Sequence, residues 1–432
     1  MKKLLLITFQ ILALLSTSCN LIDLNPDPDP VFTPQQVESK LHVEWHKPVV
    51  YETILKPESA DVKFIGVDNG LIYYRHLPTS GRLDRRITAR NQSDGKLVWE
   101  TACSDLTDMY WFETIYQTTD KILIHDRATT LAIDKRNGSF LWNWQRENPE
   151  NETTAWIFVT DQHIYQPVKT GQNQQYDHAS LVRTDINQHA EWDTILTFSH
   201  IDHKWFPYIL SPVLWINPEG DSVLIGQVKW KYNHGDPIAG PKEKCQIFAY
   251  NLHKHNIEWS KENIAPFGMI SLQNPLVDGN LVYLTHSDMV ICLNLINGEK
   301  VWDQYIASGL AYADIEIFEN KLIIASRQPY LYAFDKSSGV PNWANFGENT
   351  STDDLESITI MNGVIYCTSI YTDKIYSFDT DQGRLISIET SPIHHNDRFT
   401  YSFGISGIYA DPSVNRLYAC DQTYIICFQP TQ

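Results

Sequence analysis

The chain has 432 residues, 43% of them apolar, and a formal charge of −18 from 34 Lys and Arg against 52 Asp and Glu. That length can bury a sizeable core, and the acid excess argues against nucleic acid or an anionic lipid surface as the main partner. Seven cysteines occur with no CxxC pair and no Cys/His cluster, which argues against a zinc site.

The first predicted element is a leader. Lys2 and Lys3 precede the apolar run 4–15, which suits a signal peptide and is too short to span a bilayer. Ser16, Thr17 and Ser18 then lead to Cys19. This pattern predicts lipoprotein processing, with Cys19 acylated as the new N-terminus. Ser16 stands where an apolar residue is usual, and an ordinary signal peptidase acting at the same bond would release a free secreted protein. The predicted division is a leader over 1–18, a lipid-anchored linker over 19–40 and one repeat domain over 41–432. The linker, "NLIDLNPDPDPVFTPQQ", alternates Pro with acid and should be extended and solvated. Its Asp23, Asp27 and Asp29 resemble the export tags of surface lipoproteins, so both the periplasmic face and the cell surface are open as locations.

A lone strand, "LHVEWHK" at 41–47, comes next with Trp45. From there the chain repeats one hairpin. "LYAFDKSSGVPNW" sets a small residue (Ala333), an acid (Asp335), a glycine (Gly339) and a tryptophan (Trp343) at fixed offsets. Ala89, Asn91, Gly95 and Trp99 repeat it, as do Ala132, Asp134, Gly138 and Trp142, and Cys292, Asn294, Gly298 and Trp302. Ala249, Asn251 and Trp259 carry His255 at the glycine position, and Ser377, Asp379 and Gly383 end on Ser387. "RTDINQHAEW" is one residue short, with Arg183, Asp185, His189 and Trp192. Asp or Asn turns the chain through its own backbone, and Gly supplies positive φ. The terminal positions are 41 to 67 residues apart, a period typical of propeller blades. A short apolar run precedes each hairpin, and a further one precedes that, giving four antiparallel strands per unit. Both faces of the third strand are apolar, so each sheet is covered on both sides. The last unit lacks a fourth strand, and 41–47 supplies it. The predicted fold is all-β: an eight-bladed propeller, monomeric, with its last blade closed by an N-terminal strand. The departures at His189, His255 and Ser387 predict three less regular hairpins.

The small residue, acid, glycine and tryptophan pattern resembles the tryptophan-docking repeat of the pyrroloquinoline quinone-like propellers, and over 41–432 the chain is similar to the BamB-like lipoproteins. That resemblance implies that Trp45, Trp99, Trp142, Trp192, Trp259, Trp302 and Trp343 dock between blades. It further implies a periplasmic subunit of the outer-membrane barrel-assembly machinery, hence envelope proteins as partners and a lipid-anchored, non-catalytic scaffold. The wider family includes quinoprotein dehydrogenases, which carry adjacent cysteines, a calcium site of Glu and Asn, and a catalytic Asp. No two cysteines are adjacent here, so no cofactor, no metal and no catalytic residue are expected, and a degenerate quinoprotein enzyme is the least favoured reading.

Two surfaces stand out as candidate sites. The connections 75–86, 167–179 and 229–244 are long, and two are basic, with Arg82, Arg85, Arg86, Lys229, Lys231, Lys242 and Lys244. They form either solvated loop tips or a patch that steers an acidic partner. Trp111, Trp156, Phe206, Phe267, Tyr312 and Tyr401 fall near the starts of the innermost strands. They either pack between blades or form a collar able to stack on a glycan, which would make the protein a surface ligand binder. The six cysteines after Cys19 read as buried free thiols, because Cys292 and Cys427 share the column of Ala89 and Ala132.

Overall fold

The structure, a computed structural model, describes residues 41–49, 60–78, 85–103, 114–126, 129–145, 157–172, 175–187, 192–202, 204–210, 212–232, 243–264, 275–286, 289–306, 314–326, 330–346, 355–369, 374–390, 407–421 and 424–430. Among them all regular structure is strand, arranged as eight antiparallel sheets. Taken in order, the sheets span 60–102, 114–145, 158–199, 205–262, 276–305, 314–346 and 355–390 as blades 1 to 7. Blade 8 joins Ile408–Asp411, Arg416–Cys420 and Tyr424–Pro430 to the N-terminal strand Leu41–Pro48. The architecture is an eight-bladed propeller.

The composite blade explains how a linear chain closes into a ring. Leu41 pairs with Pro430 and Pro48 with Tyr424, so the N-terminal strand covers what would be an open edge. Arg416 donates through Nε to the Glu44 carboxylate across this junction. Blade 8 then meets blade 1 through Val62, Tyr74, Cys420 and Ile425, all buried.

The core lies between blades. One cluster joins Tyr283, Cys292 and Trp302 of blade 5 to Leu322, Ile324 and Phe334 of blade 6. Each hairpin is shaped for this contact. Ala333 opposes Trp343, Ala89 opposes Trp99 and Cys292 opposes Trp302, and a bulge follows at once. The bulge adds one residue to the outer strand and turns the tryptophan towards the next blade. There the indole N–H donates to a hairpin carbonyl: Trp99 to Lys135 at 3.2 Å, Trp259 to Leu295 at 2.7 Å, Trp302 to Lys336 at 3.1 Å, Trp343 to Thr380 at 3.2 Å and Trp45 to Gln92 at 3.2 Å. A polar latch accompanies several of these contacts. Lys135 pairs with Asp68, Lys336 with Asp278, and Gln92 donates to Asp411, each reaching back to the preceding blade.

Three details differ from the sequence expectation. The segment 167–179 is mostly strand, because His163–Gln172 pairs continuously with Gln175–Asp185 around one bulge. Blade 4 has five strands, since Trp205–Ile209 and Val213–Ile216 both pair with Ser222–Tyr232. Pro212 lies between them and cannot donate to a ladder. The hairpin that ends on Ser387 is regular: Gly383 donates to Asp379 O at 3.0 Å, as Gly339 does to Asp335 O. Ser387 instead bonds Ser377, at 2.6 Å between hydroxyls. Blade 8, closed by the N-terminal strand, has no hairpin there to receive a tryptophan.

Candidate functional site

One seam of the ring is built differently. In blade 3 the small-residue column holds Arg183, and the residue opposite it is Asp193. Trp192 is therefore one place out of register with the other tryptophans and faces the other way. Its ring lies 5.1 Å from that of Trp144 in blade 2, not against blade 4. On the blade 4 side, Leu252 stands where blades 1, 2 and 6 use Gln92, Lys135 and Lys336 for their latches. His255 holds the glycine position at φ 55°.

Where the docked indole is missing, a cleft of about 490 Å³ opens between blades 3 and 4. Its blade 3 wall is the turn 160–163 with Tyr165 and Arg183, and its blade 4 wall is Leu214, the turn 220–222, Leu252 and His253. Thr160 fixes the first turn, because its hydroxyl accepts from His163 N at 3.0 Å. Asp161 accepts from the backbone N–H and the hydroxyl of Thr119 in blade 2, both at 3.0 Å, and these bonds hold its carboxyl below the usual range. Asp221 accepts from Asn251 Nδ2 at 2.9 Å, which likewise lowers its pKa, with help from Lys254. Burial and the nearby Arg183 guanidinium push the His163 imidazole down, so it is neutral at pH 7. Arg183 lies 3.5 Å from Asp193. Lys254, just beyond the cleft, is held among Glu219, Asp221 and Glu258. The cleft thus presents one permanent cation, two ionised carboxylates, a neutral imidazole and two leucines.

The described residues among those singled out from sequence as basic or aromatic candidates do not line this cleft. Among the seven basic candidates, Arg82 and Lys242 fall outside the described residues. Arg85 is buried, Arg86 pairs with Glu100, Lys229 pairs with Glu243 at 2.8 Å, and Lys244 lies 4.2 Å over the Trp205 ring. Only the Lys231 side chain among these is exposed, so the described residues present no extended basic patch; local partners or burial account for the other four. In the aromatic set, Trp111, Trp156, Phe267, Tyr312 and Tyr401 fall outside the described residues. Phe206 is buried, opposite Lys231, and packs near His200. Trp142 opposes Ala132 and packs with Ile164 and Ile186 of blade 3. Cys103, Cys245, Cys292, Cys367, Cys420 and Cys427 are buried and free. Among the described residues no three His, Cys, Asp or Glu side chains gather as a metal site. The seam had one sequence signal, the short hairpin "RTDINQHAEW" with Arg183 in a column of small residues.

Compared with family models and with the curated proteins, the sequence matches none. Solved structures do resemble it. BamB from Moraxella catarrhalis aligns with a TM-score of 0.56 at 12% identity, over 90% of this chain and 99% of that one. Sqt1 of Saccharomyces cerevisiae aligns at 0.56 and 10%, over 91% and 100%. The quinohemoprotein alcohol dehydrogenase ADHIIG of Pseudomonas putida HK5 aligns at 0.59 and 10%, over 91% and 76%. At such identities the likeness is one of fold: this chain is a β-propeller of the same architecture.

Proposed function

We propose that the protein is a non-catalytic interaction scaffold, tethered through Cys19 to the bacterial outer membrane and engaging envelope proteins. The observation that carries this reading is the outer edge of the ring. The same bulges that aim the tryptophans inward leave Val98, Leu141 and Val301 as the extra residues, and their side chains are exposed. Phe140 (52% exposed) and Tyr305 (55%) join them on outer strands. These are apolar side chains beside backbone groups that no neighbouring strand pairs, on a frame held by the docked indoles. A partner strand or apolar segment covering such an edge gains both main-chain bonds and apolar burial. The anchor, the membrane and the partner class rest on the leader, Cys19 and the BamB-like repeat.

Photo-crosslinkers placed at Phe140 and Val301 in the full chain test the reading in cells. Adducts with envelope proteins at these sites, but not at exposed Asn297 or Ser337 in the hairpin turns, are expected. Equal, indiscriminate adducts at all four sites would contradict it.

A further inference from the structure

The cleft between blades 3 and 4 has no part in the scaffold reading, which concerns the outer strands. We propose that it binds a small ligand bearing a single carboxylate beside hydroxyl or ammonium donors, with Arg183 as the carboxylate anchor.

Size permits this, since about 490 Å³ lies within the range of small-molecule sites. Charge selects it. A guanidinium offers two parallel donors that match one carboxylate. The present partner of Arg183 is a weak competitor: Asp193 is 72% exposed at 3.5 Å, whereas the Arg183 side chain is 25% exposed. Such an exposed pair is screened by water and contributes little. Asp161 and Asp221 flank the opening as ionised acceptors. They repel a second negative charge and accept from hydroxyl or ammonium groups. A phosphate dianion therefore meets two carboxylates and is disfavoured. The neutral His163 ring has a lone-pair nitrogen and an N–H for one further bond. Leu214 and Leu252 supply an apolar wall for the ligand's carbon skeleton. The seam also departs from the repeat in two side chains together: Arg183 for a small residue and Asp193 for tryptophan. The second change removes the indole that would fill the space, and the first puts a cation on its wall.

Calorimetry on the purified full chain tests this with two probes that separate the sources. D-glucuronic acid supplies hydroxyl donors, and the dipeptide Gly-Leu supplies an ammonium. Glucose lacks the carboxylate, and glucose 6-phosphate carries a dianion; neither should bind. One probe is expected to bind, and which one names the source. Arg183→Gln should weaken that binding at least tenfold, and Arg183→Lys, which keeps the charge without the paired donors, should weaken it several-fold. If neither probe binds at millimolar concentration, the proposal is overturned. Retained affinity in a folded Arg183→Gln, or stronger binding of glucose 6-phosphate, would also overturn it. Should Arg183→Gln fail to fold, Arg183→Lys decides alone, because unchanged affinity there rules out the paired guanidinium contact. Loss of the envelope crosslinks would leave this result untouched, and the reverse holds too.

Discussion

Trp302 of blade 5 covers Gly339 of blade 6. A Cβ built on that glycine would sit 2.5 Å from the indole, whose N–H donates to Lys336 O at 3.1 Å. Gly339 also holds φ +71°. Two causes therefore require glycine, and a second glycine separates them. Gly70 has φ +75° with nothing within 4 Å of its absent Cβ. Gly70→Ala should cost only backbone strain, about 1 to 2 kcal/mol. Gly339→Ala should cost that plus overpacking of about 1 to 3 kcal/mol. Thermal unfolding of both variants checks this, and equal shifts would show that the indole imposes no constraint.

The N-terminal strand should act as a clasp. It contributes Leu41 to the blade 8 core, the Trp45 bond to Gln92 O and the ion pair of Glu44 with Arg416. Deleting residues 41–47 would reopen the edge of Tyr424–Pro430 and should lower Tm sharply. A truncated protein melting with the full chain would mean that the ring does not depend on this closure.

Glu316 gives a pH dependence with a definite sign. Burial, with Asp314 on the same face of the strand, raises its pKa to about 7 from the ordinary 4.5. The folded state thus holds the proton more tightly than the unfolded one. Its contribution is fully present below about pH 4.5 and is lost as pH rises through about 7. Glu316→Gln should therefore raise Tm at pH 8 and leave it nearly unchanged at pH 4.5. A gain of the same size at both pH values would contradict the assigned cause.

The thiols should be silent. Burial pushes Cys245, Cys292 and Cys427 up to about 12, so little thiolate exists at neutral pH and reagents cannot reach the sulfur. A thiol titration of Cys19→Ser is expected to read close to zero in the native state and six groups in denaturant. Rapid native reaction of two or more groups would place those cysteines outside the core.

The frame was legible because each blade repeats one local device. Asp335, Gly339 and Trp343 stand at spacings that a turn and a bulge dictate, and they recur through most of the chain. The composite blade was legible from a missing fourth strand and a lone Trp45. The cleft was harder to read, because it arises where the device is withdrawn. Trp192 kept the residue type but slipped one place, and only the pairing of Arg183 with Asp193 shows that it faces blade 2. The surroundings of the described basic candidates were hard to read for a related reason. A count of Arg86, Lys229 and Lys244 does not show that Glu100, Glu243 and the Trp205 ring lie within reach across the sheet.

Crosslinking in living cells followed by mass spectrometry, comparing wild type with Cys19→Ser, tests the proposed function most directly. The anchored scaffold predicts envelope proteins joined to the wild-type chain and a large loss of those adducts when Cys19 is replaced. Recovery of no envelope protein with a folded, expressed wild-type chain would contradict it.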